Sequence, residues 1–160
     1  MTFWLVAGMV LSVFAQPLDR ILAVVNGYVI MRSDVRAFLD LGLVDGTSSP
    51  ADEGTVLTLL IERRVVLDEV DRFVVEEPDP VVVEQRLARL RADLPRGTEL
   101  KPLLARSGLT LDDLRYLLAD DIRREMYLQR RFQVVGDDRD EAVRDWVGNL
   151  LTRAQIRRSR

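Results

Sequence analysis

Residues 21 to 35, ILAVVNGYVIMRSDV, set nine apolar residues around Asn26-Gly27 and then stop at Arg32-Ser33-Asp34. Asn-Gly is the strongest short-range signal for a β-hairpin, because both central residues of a type I′ turn need φ > 0. The strands are expected near 20–25 and 28–32, with Val25 opposite Tyr28, Val24 opposite Val29, Ala23 opposite Ile30 and Leu22 opposite Met31. Alternate pairs point to opposite faces, so both faces of this hairpin are apolar. A free two-stranded hairpin is marginal in water. Either the rest of the chain covers both faces, the helices and a final strand being the expected cover, or one face is left to a partner.

Working outward, Ser33 is placed to cap a helix running to about Leu41, with Asp34 favourable at its positive end. GLVDGTSSPADEG, 42 to 54, reads as a loop. Residues 55 to 74 carry Val56, Leu60, Leu67, Val70 and Phe73 on one side and Leu57, Ile61 and Val65 beside them, the broad apolar face of a central helix. Asp79-Pro80 supplies an N-cap and a proline at the first helical position, ahead of the stripe Val83, Leu87, Leu90, Leu94. Leu103 and Leu104 sit on a short helix that Gly108 ends. Thr110 with Asp113 forms a capping box for a helix to about Arg131, with Leu111, Leu114, Leu118, Ile122 and Met126 inward. FQVVGDD, 132 to 138, reads as a short strand and a break. Val143, Trp146, Val147, Leu150, Leu151 and Ala154 then have amphipathic helical spacing, before QIRR, which could pair with an open edge of the hairpin. The fold class is mainly α, a multi-helix domain with a small antiparallel sheet formed by the N-terminal hairpin and short C-terminal strands.

A chain of 160 residues is sized for one domain with a real core, since such a chain buries about 68–70% of its unfolded surface. Charged residues make up 31% and the net charge is −3, with no single-sign run, so nucleic acid is a poor partner. Cysteine and histidine are absent, which removes disulfides, thiolate nucleophiles, the usual general base and the commonest metal ligands. No cofactor, metal or catalytic residue is assigned. Paired carboxylates could still do acid and base work, and the pairs are Glu76-Glu77, Asp112-Asp113, Asp120-Asp121 and Asp137-Asp138. Adjacent helix positions do not face each other, and negative charge is expected near helix starts in any case.

Residues 3 to 14, FWLVAGMVLSVF, are uncharged and run into Val13-Phe14-Ala15, followed by Gln16-Pro17. The run is short of the roughly 20 residues that span a bilayer and matches the apolar region of a secretory signal peptide, although no Lys or Arg precedes it. Cleavage between Ala15 and Gln16 is expected, which would place the mature chain outside the cytoplasm with no stable membrane span; a retained anchor or a buried first helix are the other readings.

The succession of DRILAVVNGYVIMRSDV, a central helix, VVEEPDPVVVEQRLARL and GLTLDDLRYLLADDIRREMYLQRR resembles the N-terminal domain of the SurA-type periplasmic chaperones. That family opens on a hairpin of the type AVVN…VI…SDV, matched by Ala23 to Asn26, Val29, Ile30 and Ser33 to Val35. It continues with a helix start met by Glu77 to Val83 and another met by Gly108 to Arg115. The likeness spans residues 19 to about 135. It implies a division into signal peptide 1–15, chaperone domain 16–136 and a C-terminal helix and strand, 137–160, packing back on that domain. On this resemblance the parvulin prolyl isomerase domains that follow in the family are expected to be missing here, with Gly136 at the junction. The resemblance therefore implies a periplasmic holdase that binds unfolded outer-membrane or envelope proteins through apolar surface and is not an enzyme. The alternatives are a prolyl isomerase, by family name alone, and a non-catalytic assembly subunit with one fixed envelope partner. A hinge-like junction at Gly136 would also let the C-terminal segment exchange between two chains to form a dimer. No client-binding residue is singled out, because an apolar stripe is more often core than groove.

Overall fold

A computed structural model describes residues 19–43, 52–73, 75–133 and 138–159. Strands β1, Ile21–Val25, and β2, Tyr28–Met31, flank Asn26 at φ 50° and Gly27 at φ 90°, both positive as the two-residue turn demands. Val25, Val24 and Ala23 pair with Tyr28, Val29 and Ile30 as expected. Beyond them the register shifts: Met31 lies opposite Ile21 rather than Leu22, so one extra residue bulges from β1. Strand β3, Ile156–Arg158, adds antiparallel to the other edge of β1, giving the order β2-β1-β3. The fold is mainly α with a small antiparallel sheet.

Helix α1, Arg32–Asp40, starts one residue before Ser33. Ser33 does not cap it: its hydroxyl and its N–H both donate to the Asp19 carboxylate, and the Asp34 carboxylate accepts instead from the Met31 N–H at 2.7 Å. Helix α2, Glu53–Arg72, is capped by Asp52, which accepts from the Thr55 N–H at 2.8 Å. It buries Val56, Leu60, Ile61, Val65, Val66, Leu67 and Val70, a face so wide that α1, the sheet and two later helices all pack on it. Phe73, expected on that face, is instead 59% exposed at the C-cap.

Helix α3, Pro80–Asp93, begins as expected, Asp79 accepting from the Val81 N–H at 2.8 Å. Helix α4, Leu100–Ser107, ends at Gly108, whose φ of 68° reverses the chain. The Thr110–Asp113 capping box opens α5, Leu111–Arg131. No strand forms at 132–133: Phe132 ends α5 and its buried ring meets Trp146 edge-on, centroids 5.7 Å apart. The rest of the expected break, residues 134–137 with Gly136, lies outside the described residues, as do the expected signal segment and its Ala15-Gln16 junction. Helix α6, Arg139–Arg153, packs on α2 and leads into β3.

Two apolar clusters make the interior. One gathers Ala23, Val25 and Ile30 of the sheet with Val35 and Phe38 of α1, the α2 face, Tyr127 and Leu150. The other holds Leu41, Val83, Leu87, Leu103, Leu104, Leu114, Leu118 and Ile122. Helix α5 contributes to both, and Leu43 touches both.

Candidate apolar cleft

Where the two clusters meet, the surface opens into a cleft of about 470 Å³. Its walls come from four elements whose apolar residues mostly belong to the core clusters or pack against them. The end of α1 and the turn after it bring Leu39, Leu41 and Leu43, and α2 brings Leu59. The second half of α3 brings Leu90 and Leu94, and α5 brings Leu118. Leu59 differs from the rest of the α2 leucines: it is only half-buried and belongs to neither core cluster. An apolar side chain in mid-helix that faces an open cleft leaves hydrophobic surface in water that a bound apolar segment would cover.

The rim is charged and in part neutralised by pairs. Arg63 Nε donates to Asp121 Oδ1 at 2.9 Å, and its Nη2 donates to the Leu117 carbonyl at 3.0 Å, with side-chain exposures of 12% and 19% for the pair. Arg86 Nη2 donates to Glu125 at 2.6 Å. The Arg63 guanidinium also lies 5.8 Å from the centroid of the Phe38 ring. These pairs fix the walls by tying α2 and α3 to α5.

A second apolar surface lies on the hairpin. Ala23, Val25 and Ile30 are buried, but Val29 and Met31 on β2, and Ile21 on β1, remain exposed. The helices and β3 thus do not cover both faces, contrary to the expectation that they would. Tyr28, also exposed, lies under the Arg64 guanidinium at 4.9 Å. The edge of β2 is partly blunted, since the Met31 N–H is already taken by Asp34.

Several of the paired carboxylates take structural roles, Asp137 lying outside the described residues. The Asp113 carboxylate accepts from the Thr110 N–H in the capping box of α5, while Asp112 pairs with Arg115 at 2.8 Å. Asp120 pairs with Arg123 at 3.2 Å and Asp121 with Arg63. Glu77 lies 3.8 Å from Arg123, and Asp138 stands at the start of α6. Hydrogen bonds from the Thr110 hydroxyl and N–H hold the Asp113 carboxyl below its ordinary range, and the Thr55 N–H does the same for Asp52. Burial pushes Asp34 up, opposed by the Met31 N–H and reinforced by the charge of Asp19. Burial pulls Arg64 down, but its bonds to Asp68 and Asp71 outweigh that and raise it. Among the described residues no group of three or more acidic side chains is placed to hold a metal ion, and no helix is long and apolar enough to cross a membrane.

Sequence reasoning singled out no binding surface, and the cleft is a feature it did not show. One signal was present: α2 carries a leucine, Leu59, beside its core-facing stripe. No family model matches the chain, and no curated protein matches it.

Proposed function

We propose that the chain is a holdase-type chaperone of the cell envelope, a SurA-like core that binds extended segments of unfolded outer-membrane or envelope proteins in the periplasm and does no isomerase chemistry. The observation that carries this reading is Leu59 facing the open cleft rather than a core, within walls rich in leucine and a rim where Arg63–Asp121 and Arg86–Glu125 are paired. Such a site binds by burial of apolar area, at roughly 25 cal/mol per Å², and fixes no particular side-chain pattern. The exposed residues of the hairpin add a second apolar contact surface. The test is light scattering from several unrelated outer-membrane proteins diluted out of urea. Suppression of aggregation across the set is the expected result. Capture of one protein alone, in a fixed ratio, would replace this reading with that of an assembly subunit. Accelerated isomerisation of a proline peptide would replace it with that of an enzyme.

A further inference from the structure

The Asn26-Gly27 pair that makes the hairpin turn is also a sequence pair open to hydrolysis, because glycine has no Cβ to shield its backbone nitrogen from the preceding side-chain amide. We propose that Asn26 is a modification site, at which uncatalysed deamidation by water unlatches the C-terminal strand β3 from the sheet. The Asn26 carboxamide is a clamp. Its Nδ2 donates to Asp68 Oδ2 on α2 at 2.6 Å, and its Oδ1 accepts from the Gln155 N–H at 2.9 Å. The Asn26 N–H completes the set by donating to the Gln155 carbonyl at 2.9 Å. The side chain is exposed, so water reaches it.

In the reaction the Gly27 backbone nitrogen gives its proton to solvent base and attacks Asn26 Cγ. The new C–N bond closes a succinimide, the Cγ–Nδ2 bond breaks, and ammonia leaves. Water then adds across one of the two imide C–N bonds, giving aspartate or isoaspartate with no change of oxidation state. Both products remove the donor that faced Asp68 and set a carboxylate against it. Arg64 is already committed to Asp68 and Asp71, while Arg72 of α2 and Arg153 of α6, which border the same small hollow, are bonded to Glu69 and to the Asn149 carbonyl. Isoaspartate also lengthens the main chain by a methylene inside a two-residue turn, which removes the geometry that set the register. Isoaspartate displaces the oxygen that accepts from the Gln155 N–H, whereas aspartate keeps that acceptor but sets its charge beside Asp68; β3 is otherwise held by three residue pairs and the Ser159 N–H to the Leu22 carbonyl. While the clamp is closed the amide cannot turn toward the Gly27 nitrogen, so modification waits on local opening of β3.

The experiment incubates the chain at mildly alkaline pH, folded and in urea, and follows the peptide containing Asn26 by mass spectrometry. Conversion is expected at least about tenfold more slowly in the folded chain, as for any group shielded by local structure. In the purified product, hydrogen exchange should quicken at residues 155–159 while α2 and α5 exchange as before. Asn26→Asp, made directly, supplies the aspartate form for the same measurement. Equal conversion in the two conditions, or unchanged protection of 155–159 in both modified forms, would overturn the proposal.

Discussion

Asn26 and Gln155 lie 129 residues apart in sequence and exchange two hydrogen bonds of 2.9 Å, one from each backbone N–H, to the Gln155 carbonyl and to the Asn26 side chain. The same Asn26 side chain reaches Asp68. A turn residue thereby joins the hairpin, the central helix and the last strand, and two substitutions separate its backbone role from its side-chain role. Asn26→Gly keeps the positive φ and loses the carboxamide, so urea unfolding should show a loss of about 1–2 kcal/mol, two exposed hydrogen bonds at ordinary net values. Asn26→Ala should lose about 1 kcal/mol more, the penalty of a Cβ in the left-handed region. Equal stabilities for the two variants would refute the assignment of strain to the turn.

The second apolar cluster rests on residues with no exposure at all. Leu87 of α3 and Leu114 of α5 are both 0% exposed. Truncating either to alanine removes transfer energy and leaves a cavity, together about 2–5 kcal/mol. Leu87→Ala should fall in that range by urea or thermal unfolding, and a loss under about 1 kcal/mol would mean that the cluster is not packed as described.

How much of this could be read in the sequence follows from how local each signal is. The Asn-Gly turn, the Asp79-Pro80 start, the Thr110–Asp113 box and the Gly108 stop are each set by neighbours within four residues, and the structure has all four. QIRR as a strand depended on a long-range edge, and the hairpin's apolar excess made that edge visible. The bulge at Leu22 and the failure of Ser33 to cap were not legible, because both depend on Asp19 and Arg20 closing on the start of α1. The cleft was least legible of all. A leucine stripe looks the same in sequence whether a core or open space lies opposite, and only the packing of four elements decides for Leu59.

The Arg63–Asp121 pair joins α2 to α5 with little exposure on either side. Removing one member of such a pair leaves an unpaired, largely desolvated charge, at a cost of about 3 kcal/mol. Asp121→Asn should therefore destabilise far more than Arg72→Ala, whose partner Glu69 it meets with 74% of the arginine side chain exposed. Exposed pairs contribute about 0–1 kcal/mol. A double-mutant cycle on Arg63 and Asp121 measures the coupling directly, and no coupling would remove this pair from the list of forces holding the cleft wall.

Acid should act on the helix starts with opposite signs. Asp52 and Asp113 have folded pKa values below the ordinary 3.8, so their stabilisation is present above that value and is lost as pH falls through the folded pKa. Asp34 is raised above 3.8 by burial, so its protonated form favours the fold and that advantage is lost as pH rises through its folded pKa. Stability against pH should thus lose part of its acid slope in Asp113→Asn, and Asp34→Asn should lose the opposing component above 3.8. A wild-type acid slope retained in Asp113→Asn would assign acid sensitivity to other carboxylates.

Leu59 separates binding from folding. Since it faces the cleft and belongs to neither core cluster, Leu59→Glu should change stability by no more than about 1 kcal/mol, as at other sites outside a core. The new carboxylate stands four residues before Arg63, a favourable helical spacing. On the proposed holdase reading it would nevertheless put a charge where an apolar side chain of the bound segment has to be desolvated, a penalty of several kcal/mol for an unpaired ion. The expected result is a folded protein whose suppression of aggregation falls by about tenfold or more, each tenfold being 1.4 kcal/mol of binding. The matching change on the hairpin, Val29→Glu, reports on the other exposed apolar surface. If Leu59→Glu suppresses aggregation as well as the parent does and Val29→Glu does not, the client surface is the hairpin and the cleft is not the site.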